Sequence, residues 1–308
     1  MIVCTLFNPA IDVAYHVDGL EPGSTVLDAA SRSVPAGKGL NVARVVRELG
    51  EDAAVAGLIP ANDMRRFSGF INDLGLKPML YEIPGCARVN VTLTDRQAQC
   101  VTHINSASAR LPVTLQEEFL QFLALHAEGG WWCFSGSLPT GFDADAYSRV
   151  IGACREKGAH CLLDTRGAAL KMGVRATPQV IKPNLAELEE FFGEEINGVH
   201  HIALSAKRFT DMGIDYVFVS LGDDGMIAIH ENDCLLCSPP NVRTVDTVGC
   251  GDALAAGILV AQKRNFSFAE TCRMAMACGS SKCMHEGPGV VSREEVWQLM
   301  EDVKITAV

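Results

Sequence analysis

Positive charge is scarce in this sequence, and no block of consecutive basic residues occurs along it. The 308 residues include 26 lysines and arginines against 37 aspartates and glutamates, which gives a net charge of -11. This balance disfavours nucleic acids and anionic membrane surfaces as partners. An anionic substrate would have to be held by a few cations concentrated in a pocket, because the overall field of the protein repels it.

Long apolar runs are also missing. No stretch approaches the length needed to cross a bilayer, and the opening "MIVCTLFNPAID" lacks the basic segment and apolar core of a signal peptide. We therefore expect a soluble, cytoplasmic protein. Its 12 cysteines stand singly in apolar stretches such as "VCTLF", "WWCFSG" and "HCLLD", as buried, reduced thiols do. The C-x-x-C pair, Cys234 and Cys237, has no second pair to complete a zinc site, so we expect it to be structural.

Two familiar phosphate-binding loops are absent. The P-loop, G-x-x-x-x-G-K-[ST], fails in "RSVPAGKGL", which has Arg32 at the first glycine position and Gly39 after the lysine. The dinucleotide fingerprint requires Gly or Ala at its sixth position, where "GCGDAL" has Leu254. A nicotinamide-dependent enzyme is therefore not expected.

What is present from about residue 110 onward is an alternation of helical stretches with four short apolar runs, "WWCFSG", "HCLLDT", "PQVIKPN" and "YVFVSLG". This alternation predicts a parallel sheet covered by helices on both faces. Ligands of such folds bind at the carboxyl ends of the strands. Each run ends in polar or glycine residues, so we expect the site at residues 135–137, 164–165, 182–184 and 220–222.

The first third of the chain differs, because strand-like segments at residues 12–17, 26–34 and 88–93 do not alternate with helices. We expect a small β-element set against the main sheet as a lid, with its strands within residues 12–35 and 87–104. No internal repeat or low-complexity linker divides the chain. We therefore predict a single domain, residues 1–308, with this small appendage.

The segment "TVDTVGCGDALAAGILVA" sets two glycines and Asp252 before a run of small apolar residues typical of a buried helix. The first N–H groups of such a helix have no partner within it, and the helix dipole adds to them, so this start is a natural anion site. A simpler explanation of Asp252 is an acidic first-turn residue that interacts only with the dipole.

Three further segments are ambiguous by themselves. In "PAGKGLNVARVVRELG" the glycines allow close approach to a ligand, and Lys38 supplies a charge, but Asn41 is equally explained as a local helix cap. In "IKPNLAELEEFFG", Asn184 and Glu187 resemble a capping box; alternatively they face the site, where Glu187 orders a magnesium ion through water and Lys182 meets phosphate. In "RVNVTLTD" the alternation of side chains puts Arg88 and Asn90 on the same face of a strand. That face either binds a ligand or is simply exposed to solvent.

Together, these motifs resemble those of the ribokinase family of sugar kinases, in its phosphofructokinase-B branch. The shared landmarks run from residue 8 to about residue 257: "NPAID", "AGKGLNVA", "SGSLPTG", "IKPNLAEL", "SLGDDG" and "TVGCGDALAAG". The first two particularly resemble the group of 1-phosphofructokinases and tagatose-6-phosphate kinases. The resemblance implies an α/β fold of three layers, a mostly parallel central sheet between helices with a small β-lid.

The resemblance also implies site residues. Those that would contact the phosphosugar are Asp12, Gly37, Lys38, Asn41, Arg88, Asn90 and Ser137. Those on the nucleotide side would be Lys182, Asn184, Glu187, Ser220, Gly222 and Gly225. Gly249, Cys250 and Gly251 would offer backbone amides to the transferring phosphoryl group, and Asp252 would be the catalytic base. We expect Asp252 to be a weak base, because the helix dipole favours its ionised form, which a loose phosphoryl transition state tolerates.

The implied activity is phosphorylation of a ketohexose monophosphate by ATP with magnesium. Fructose 1-phosphate, giving fructose 1,6-bisphosphate, is favoured over tagatose 6-phosphate or fructose 6-phosphate, because "STVLDAAS" lacks the basic residue with which some relatives grip a 6-phosphate. A catalytically inactive sugar-phosphate-binding regulator is the alternative of another class. A homodimer through the lid is one arrangement that the resemblance allows.

Two departures from the family pattern stand near the expected site. Cys250 replaces the usual alanine of the "GAGD" loop, where the amide matters most. Arg166, in "LDTRG", replaces a small residue and adds a cation near a strand end, where it either recognises another anion or faces solvent.

Overall fold

Ten strands form a central sheet and four form a smaller one, within the residues that the computed structural model describes, 1–27, 29–108 and 110–308. The central strands are β1 (Ile2–Leu6), β4 (Ala53–Pro60), β5 (Lys77–Ile83), β8 (Gly130–Ser135), β9 (Ala159–Asp164), β10 (Val180–Ile181), β11 (Tyr216–Ser220), β12 (Met226–His230), β13 (Asp233–Ser238) and β14 (Lys304–Ala307). The strands of the small sheet are β2 (Ala10–Val17), β3 (Ala30–Ala36), β6 (Arg88–Asp95) and β7 (Cys100–Asn105). The helices are α1 (Lys38–Glu48), α2 (Met64–Asp73), α3 (Val113–His126), α4 (Ala146–Glu156), α5 (Gly167–Gly173), α6 (Leu185–Phe192), α7 (Val199–Asp211), α8 (Cys250–Lys263), α9 (Phe268–Cys283) and α10 (Arg293–Asp302).

Seven neighbouring strands of the central sheet are parallel, in the spatial order β11-β10-β9-β8-β1-β4-β5. The antiparallel strands β12, β13 and β14 extend the sheet beyond β11. The alternation after residue 110 predicted this mostly parallel sheet, and the structure confirms it. Because the parallel strands all run the same way, their carboxyl ends share one edge of the sheet.

Helices cover both faces of the central sheet, and each face has its own apolar core. In β1, Ile2, Cys4 and Leu6 pack with the core that contains α1, α8 and α9, whereas Val3 packs with the core of α3, α4 and α7. This alternation gives the three layers that were expected. Among the helices of the described residues, none has both the length and the apolar character needed to span a membrane.

The first third of the chain contributes more to the central sheet than the sequence predicted, since β1, β4 and β5 all join it. The residues of β4, "AAVAGLIP", are buried at every position. Such a strand lacks the alternation of apolar and polar residues, and periodicity alone cannot distinguish it from a buried helix.

The small sheet is the lid, with the spatial order β3-β2-β6-β7. The strand-like segments expected at residues 12–17 and 88–93 lie within β2 and β6. The prediction of a strand at residues 26–34 is partly wrong, because β3 begins only at Ala30. Asp28, within the predicted segment, lies outside the described residues.

The cysteines do not all follow the expectation of buried thiols. Those of "VCTLF", "WWCFSG" and "HCLLD" are buried, but Cys86 and Cys100 are exposed. Cys250 and Cys283 are partly buried, as is Cys234 in β13. The expectation fails in the lid and the loop before it, at the facing ends of α8 and α9, and at Cys234, which an apolar core covers only in part.

Candidate active site

Loops that follow four neighbouring strands lie side by side at the carboxyl edge of the central sheet. The amide of Gly136, after β8, donates to the carbonyl of Asp164 at the end of β9 at 3.0 Å. The backbone amide of Lys182, after β10, donates to the carbonyl of Leu163 in β9 at 3.1 Å. Asn184 forms a parallel bridge with Ser220 at the end of β11. The polar strand ends that the sequence singled out therefore meet at one edge.

The start of α8 faces this edge. Gly249 caps the helix with a φ of 87°, in the left-handed region that favours glycine. A side chain there would also come within 3.1 Å of the Pro288 Cβ. Asp252 lies in the first helical turn and is only 4% exposed. The helix thus begins where the sequence predicted, with its acidic residue turned inward.

Helix α1 supplies the partner of that carboxylate. A Cβ on Gly39 would lie 2.0 Å from the carbonyl oxygen of Thr5, so only glycine lets the helix pack this closely on β1. Gly37 is the cap residue of the helix, which has no side-chain cap hydrogen bond. The Asn41 amide instead donates to Oδ2 of Asp252 at 2.8 Å. The interpretation of Asn41 as a local cap is therefore wrong.

Four charged side chains form what we term the charge cluster: Lys38, Asp164, Lys182 and Asp252. The Nζ atoms of Lys38 and Lys182 lie 3.4 and 3.3 Å from the two carboxylate oxygens of Asp164, whose side chain is 1% exposed. Lys38 also lies 4.0 Å from Oδ1 of Asp252. Burial would raise the pKa of Asp164, but the charges of Lys182 and Lys38 outweigh it and lower that pKa.

The pKa of Asp252 is shifted in the opposite direction to that of Asp164. Burial raises its pKa above the ordinary value, although Lys38 lowers it, and the nearby negative charge of Asp164 raises it further. The expectation of a carboxylate weakened as a base by the helix dipole is therefore wrong. The sequence showed the helix terminus but not the depth of burial, and desolvation dominates there.

Lys182 faces the amides of the same helical turn. A Cβ on Gly251 would lie 3.6 Å from the Lys182 Nζ, and the lysine is 4% exposed. The Cys250 amide donates to the carbonyl of Thr247 at 3.3 Å, and the other N–H groups of this first turn, beside a buried cation, make a site for an anion. An anion bound there would lie next to the Asp252 carboxylate.

A second set of side chains, which we term the lid network, comprises Asn8, Asp12, Arg88, Asn90 and Ser137. The register of β2 and β6 pairs Asp12 with Asn90, whose amide donates to Oδ1 of Asp12 at 2.8 Å. Arg88 donates to Oδ1 of Asn90 at 2.8 Å and to Oδ1 of Asn8 at 3.1 Å. The Asn8 amide donates to Oγ of Ser137 at 3.1 Å. The network thus joins the lid to the loop after β8.

A cavity of about 290 Å³ opens between the lid network and the central sheet. Its lining includes the cations Lys38, Arg88 and Arg166, together with Ser137 and Glu187. Three cations around one cavity match the expectation that an acidic protein concentrates positive charge where it binds an anion. Arg166 lies on the cavity wall, although its side chain is exposed.

The predicted nucleotide-side residues begin with the capping box of α6. The backbone N–H of Glu187 donates to Oδ1 of Asn184 at 2.8 Å, and the backbone N–H of Asn184 donates to Oε2 of Glu187 at 2.9 Å. The structural explanation of this pair therefore holds. Glu187 nevertheless lines the cavity, and burial raises its pKa.

The other predicted nucleotide-side residues follow β11. Ser220 ends the strand beside Asn184, and Gly222 begins the next turn. A Cβ on Gly225 would lie 2.1 Å from the carbonyl oxygen of Cys237, so this glycine is required for packing against β13.

Two residues of the site were not predicted, Asn8 and Lys282. Asp164 was predicted as part of a polar strand end, but its role as the shared counter-ion of Lys38 and Lys182 was not. Lys282 is 0% exposed, and its Nζ donates to the carbonyls of Asp246 at 2.9 Å and His285 at 3.0 Å. It ties the segment before α8 to the loop after α9, and the sequence offers no signal for it.

A family model described as "pfkB family carbohydrate kinase" matches residues 5–295. The 1-phosphofructokinase of Rhodobacter capsulatus is 32% identical over 99% of this chain and 97% of that protein. The 1-phosphofructokinase of Escherichia coli K12 is 28% identical over 97% of this chain and 96% of that protein. The crystal structure of phosphofructokinase-2 from E. coli is similar in fold, with a TM-score of 0.92, 23% identity and coverage of 97% and 98% of the two chains.

Proposed function

The chain belongs to the pfkB family of carbohydrate kinases, and we propose that it transfers the γ-phosphoryl group of ATP to fructose 1-phosphate, giving fructose 1,6-bisphosphate. The observation that carries the proposal is the buried Asp252 carboxylate in the first turn of α8, between Lys38 and the Asn41 amide. A base beside a site for a transferring anion is what phosphoryl transfer to a hydroxyl group needs.

The lid network holds the sugar in this proposal. Arg88 and Ser137 bind the phosphate already present, with Lys38 as a second cation at the cavity. The Asp12 carboxylate accepts a hydrogen bond from one sugar hydroxyl group, and the Asn90 amide donates a hydrogen bond to another. These bonds would replace the one that the two residues make to each other. The far hydroxyl group then points to the charge cluster, whose Lys38 lines the cavity and lies 4.0 Å from Asp252.

Asp252 accepts the proton of that hydroxyl group as the phosphoryl group is transferred. Its raised pKa suits this role, because a base is more effective when its pKa lies closer to the working pH. The amides of Gly249 and Gly251, with the Lys182 ammonium, stabilise the negative charge of the phosphoryl oxygens, and the Cys250 amide joins them by giving up its bond to the Thr247 carbonyl. Asn41 holds the carboxylate in place.

ATP and Mg²⁺ are the expected cosubstrate and metal. No group of three or more His, Cys, Asp or Glu side chains in the described residues is arranged to hold a metal ion. This fits Mg²⁺, which is commonly held by phosphates and water with few protein ligands. Glu187 is the carboxylate at the cavity that would hold it through water. The metal would neutralise charge on the ATP phosphates.

The names of the two relatives support fructose 1-phosphate as the substrate, as does the absence of a basic residue in "STVLDAAS". The test is ADP release by the purified protein with Mg-ATP, offering fructose 1-phosphate, tagatose 6-phosphate and fructose 6-phosphate separately. We expect kcat/KM to be highest for fructose 1-phosphate. A preference for either 6-phosphate would reject the substrate, and no turnover with any of them would favour the inactive regulator.

We also propose that two copies pair through the lid. Val89 and Ile104, on β6 and β7, lie on the same face of the lid by the strand register and are 39% and 55% exposed, which is unusual for large apolar side chains of a sheet. Light scattering should give a dimer mass that falls to the monomer mass in Ile104→Asp; a monomeric wild type would reject the pairing. The cytoplasmic location and the absence of nucleic-acid and membrane partners stay predictions from the sequence.

A further inference from the structure

Cys250 and Cys283 bring two thiols together at the start of α8. Cys250 is the first residue of that helix and Cys283 the last of α9, and their Sγ atoms are 2.7 Å apart. Both thiols are free and partly buried. Other neighbouring thiols of the described residues are buried, out of reach of reagents in water: Cys4 with Cys133, Cys154 with Cys161, and Cys237 with Cys272.

The backbone around these two thiols is anchored. The Cys283 carbonyl accepts hydrogen bonds from the amides of Val245 at 2.7 Å and Asp246 at 3.2 Å. The buried Lys282 ammonium binds Asp246 as well. The segment that leads into Cys250 is therefore fastened to the end of α9, which holds the two sulfur atoms in contact.

The environment distinguishes the two thiols. The hydrogen bond shared with the Cys250 thiol lowers the pKa of Cys283 to about 7, against the effect of burial and with help from the Lys282 charge. The same hydrogen bond, together with burial, raises the pKa of Cys250. Cys283 is therefore the thiol of the pair that ionises more readily, and the thiolate is the form that reacts with oxidants.

We propose that Cys250 and Cys283 are an oxidation site, which hydrogen peroxide converts to a disulfide that blocks the start of α8. The Cys283 thiolate attacks peroxide, so an S–O bond forms, the O–O bond breaks, and hydroxide leaves and takes up a proton as water. The Cys250 sulfur then attacks the sulfenic acid; the S–S bond forms and a second water leaves. Two thiols and one peroxide give one disulfide and two waters.

The inhibitory effect rests on the proposed function. A disulfide fixes its sulfur atoms about 2.05 Å apart and constrains both Cβ positions. Closing it draws together two sulfur atoms that are 2.7 Å apart by about 0.65 Å, and part of this movement reaches the Cys250 backbone. Asp252 is two residues further along the same turn. Misplacement of reacting groups by about 1 Å can cost roughly a hundredfold in rate, so for a movement of about half that size we expect kcat to fall roughly tenfold.

The test uses the full chain, reduced with dithiothreitol, desalted and treated with equimolar hydrogen peroxide. Free thiols are then alkylated, and peptides from a non-reducing digest are identified by mass spectrometry beside turnover of the same sample. We expect a peptide pair joined through Cys250 and Cys283, a roughly tenfold lower kcat, and recovery with dithiothreitol. Cys283→Ser, with Cys283→Ala as a second variant, should keep its reduced turnover and resist peroxide. Cys100→Ser, which removes an exposed thiol of the lid, should behave as the wild type.

The readouts separate the two proposals. Oxidation that is confined to other cysteines, such as Cys86 and Cys100, would overturn the oxidation site. A Cys250–Cys283 disulfide with unchanged turnover would overturn the inhibition. If the reduced protein had no kinase activity, the proposed function would fail, while the peptide pair would still decide whether these thiols join.

Discussion

The charge cluster and the lid network each contribute to the lining of the same cavity, the first through Lys38 and the second through Asn8, Arg88 and Ser137, but they are held in different ways. In the charge cluster, Asp164, Lys182 and Asp252 are 1%, 4% and 4% exposed, and their charges are set by burial and by one another. In the lid network, Asp12, Arg88 and Asn90 are only partly buried and are joined by hydrogen bonds along two strands. Buried charge can tune a pKa and stabilise a developing charge, whereas a partly exposed network can exchange its bonds for those of a ligand. In our proposal, the chemical step therefore takes place at the sheet edge and the lid recognises the sugar.

The largest effect is expected from Asp252→Asn, which keeps the shape of the side chain and removes the base. We expect kcat to fall roughly 10²- to 10⁴-fold, the usual contribution of a general base, while KM for the sugar changes little. Steady-state ADP release measures both quantities, and circular dichroism checks the fold. A folded variant with full turnover would remove Asp252 from the chemistry.

Next comes Asp164→Asn, which leaves Lys182 and Lys38 without their shared counter-ion. Removing one partner of a buried ion pair typically costs about 3–5 kcal/mol, so we expect a loss near 3 kcal/mol in the free energy of unfolding in urea. Asp52→Asn is the control, because it breaks an ion pair with Arg47 in which Asp52 is 84% exposed, and it should cost below about 1 kcal/mol.

The stability of the wild type and of Asp164→Asn, measured at several pH values, tests the same ion pair further. The pKa of Asp164 is lower in the folded protein than its ordinary value of 3.8, so its contribution to stability is complete above that value. It is lost as the pH falls through the folded-state pKa. The stability difference between the wild type and Asp164→Asn should therefore shrink below pH 3.8, and a difference that grew there would contradict the assignment.

A smaller effect, on binding alone, is expected in the lid. Arg88→Gln removes a charged hydrogen bond to the sugar phosphate, which is worth about 1.5–3 kcal/mol, and should raise KM for the sugar roughly 10- to 100-fold. KM for ATP should change much less. Arg149→Gln, which removes a surface arginine paired with Glu117, is the matched control and should leave both values unchanged. A larger rise in KM for ATP would place Arg88 on the nucleotide side.

The smallest effect concerns the acid limb of the pH–rate profile. Because burial raises the pKa of Asp252 above 3.8, kcat/KM should decline as the pH falls through that raised value. Lys38 lowers this pKa, so Lys38→Met should move the limb to higher pH, whereas Arg88→Gln should leave it in place. An unmoved limb in Lys38→Met would mean that another group titrates.

The two regions also differ in how far the sequence could predict them. The helix start at Gly249 and the pair of Arg88 and Asn90 on one strand face follow from local pattern. The bond between Asn41 and Asp252 joins residues 211 positions apart, and no local pattern contains it. Burial is likewise a property of the assembled layers, which is why the pKa of Asp252 was predicted in the wrong direction.

The central claim is that the charge cluster transfers phosphate to the sugar that the lid holds. Phosphorus NMR of the protein with Mg-ATP and fructose 1-phosphate tests it most directly, because the signals distinguish transfer to sugar from transfer to water. The account predicts ADP and a second phosphomonoester on the same sugar, with neither formed by Asp252→Asn. Inorganic phosphate with unchanged fructose 1-phosphate, or the bisphosphate formed equally by Asp252→Asn, would contradict it.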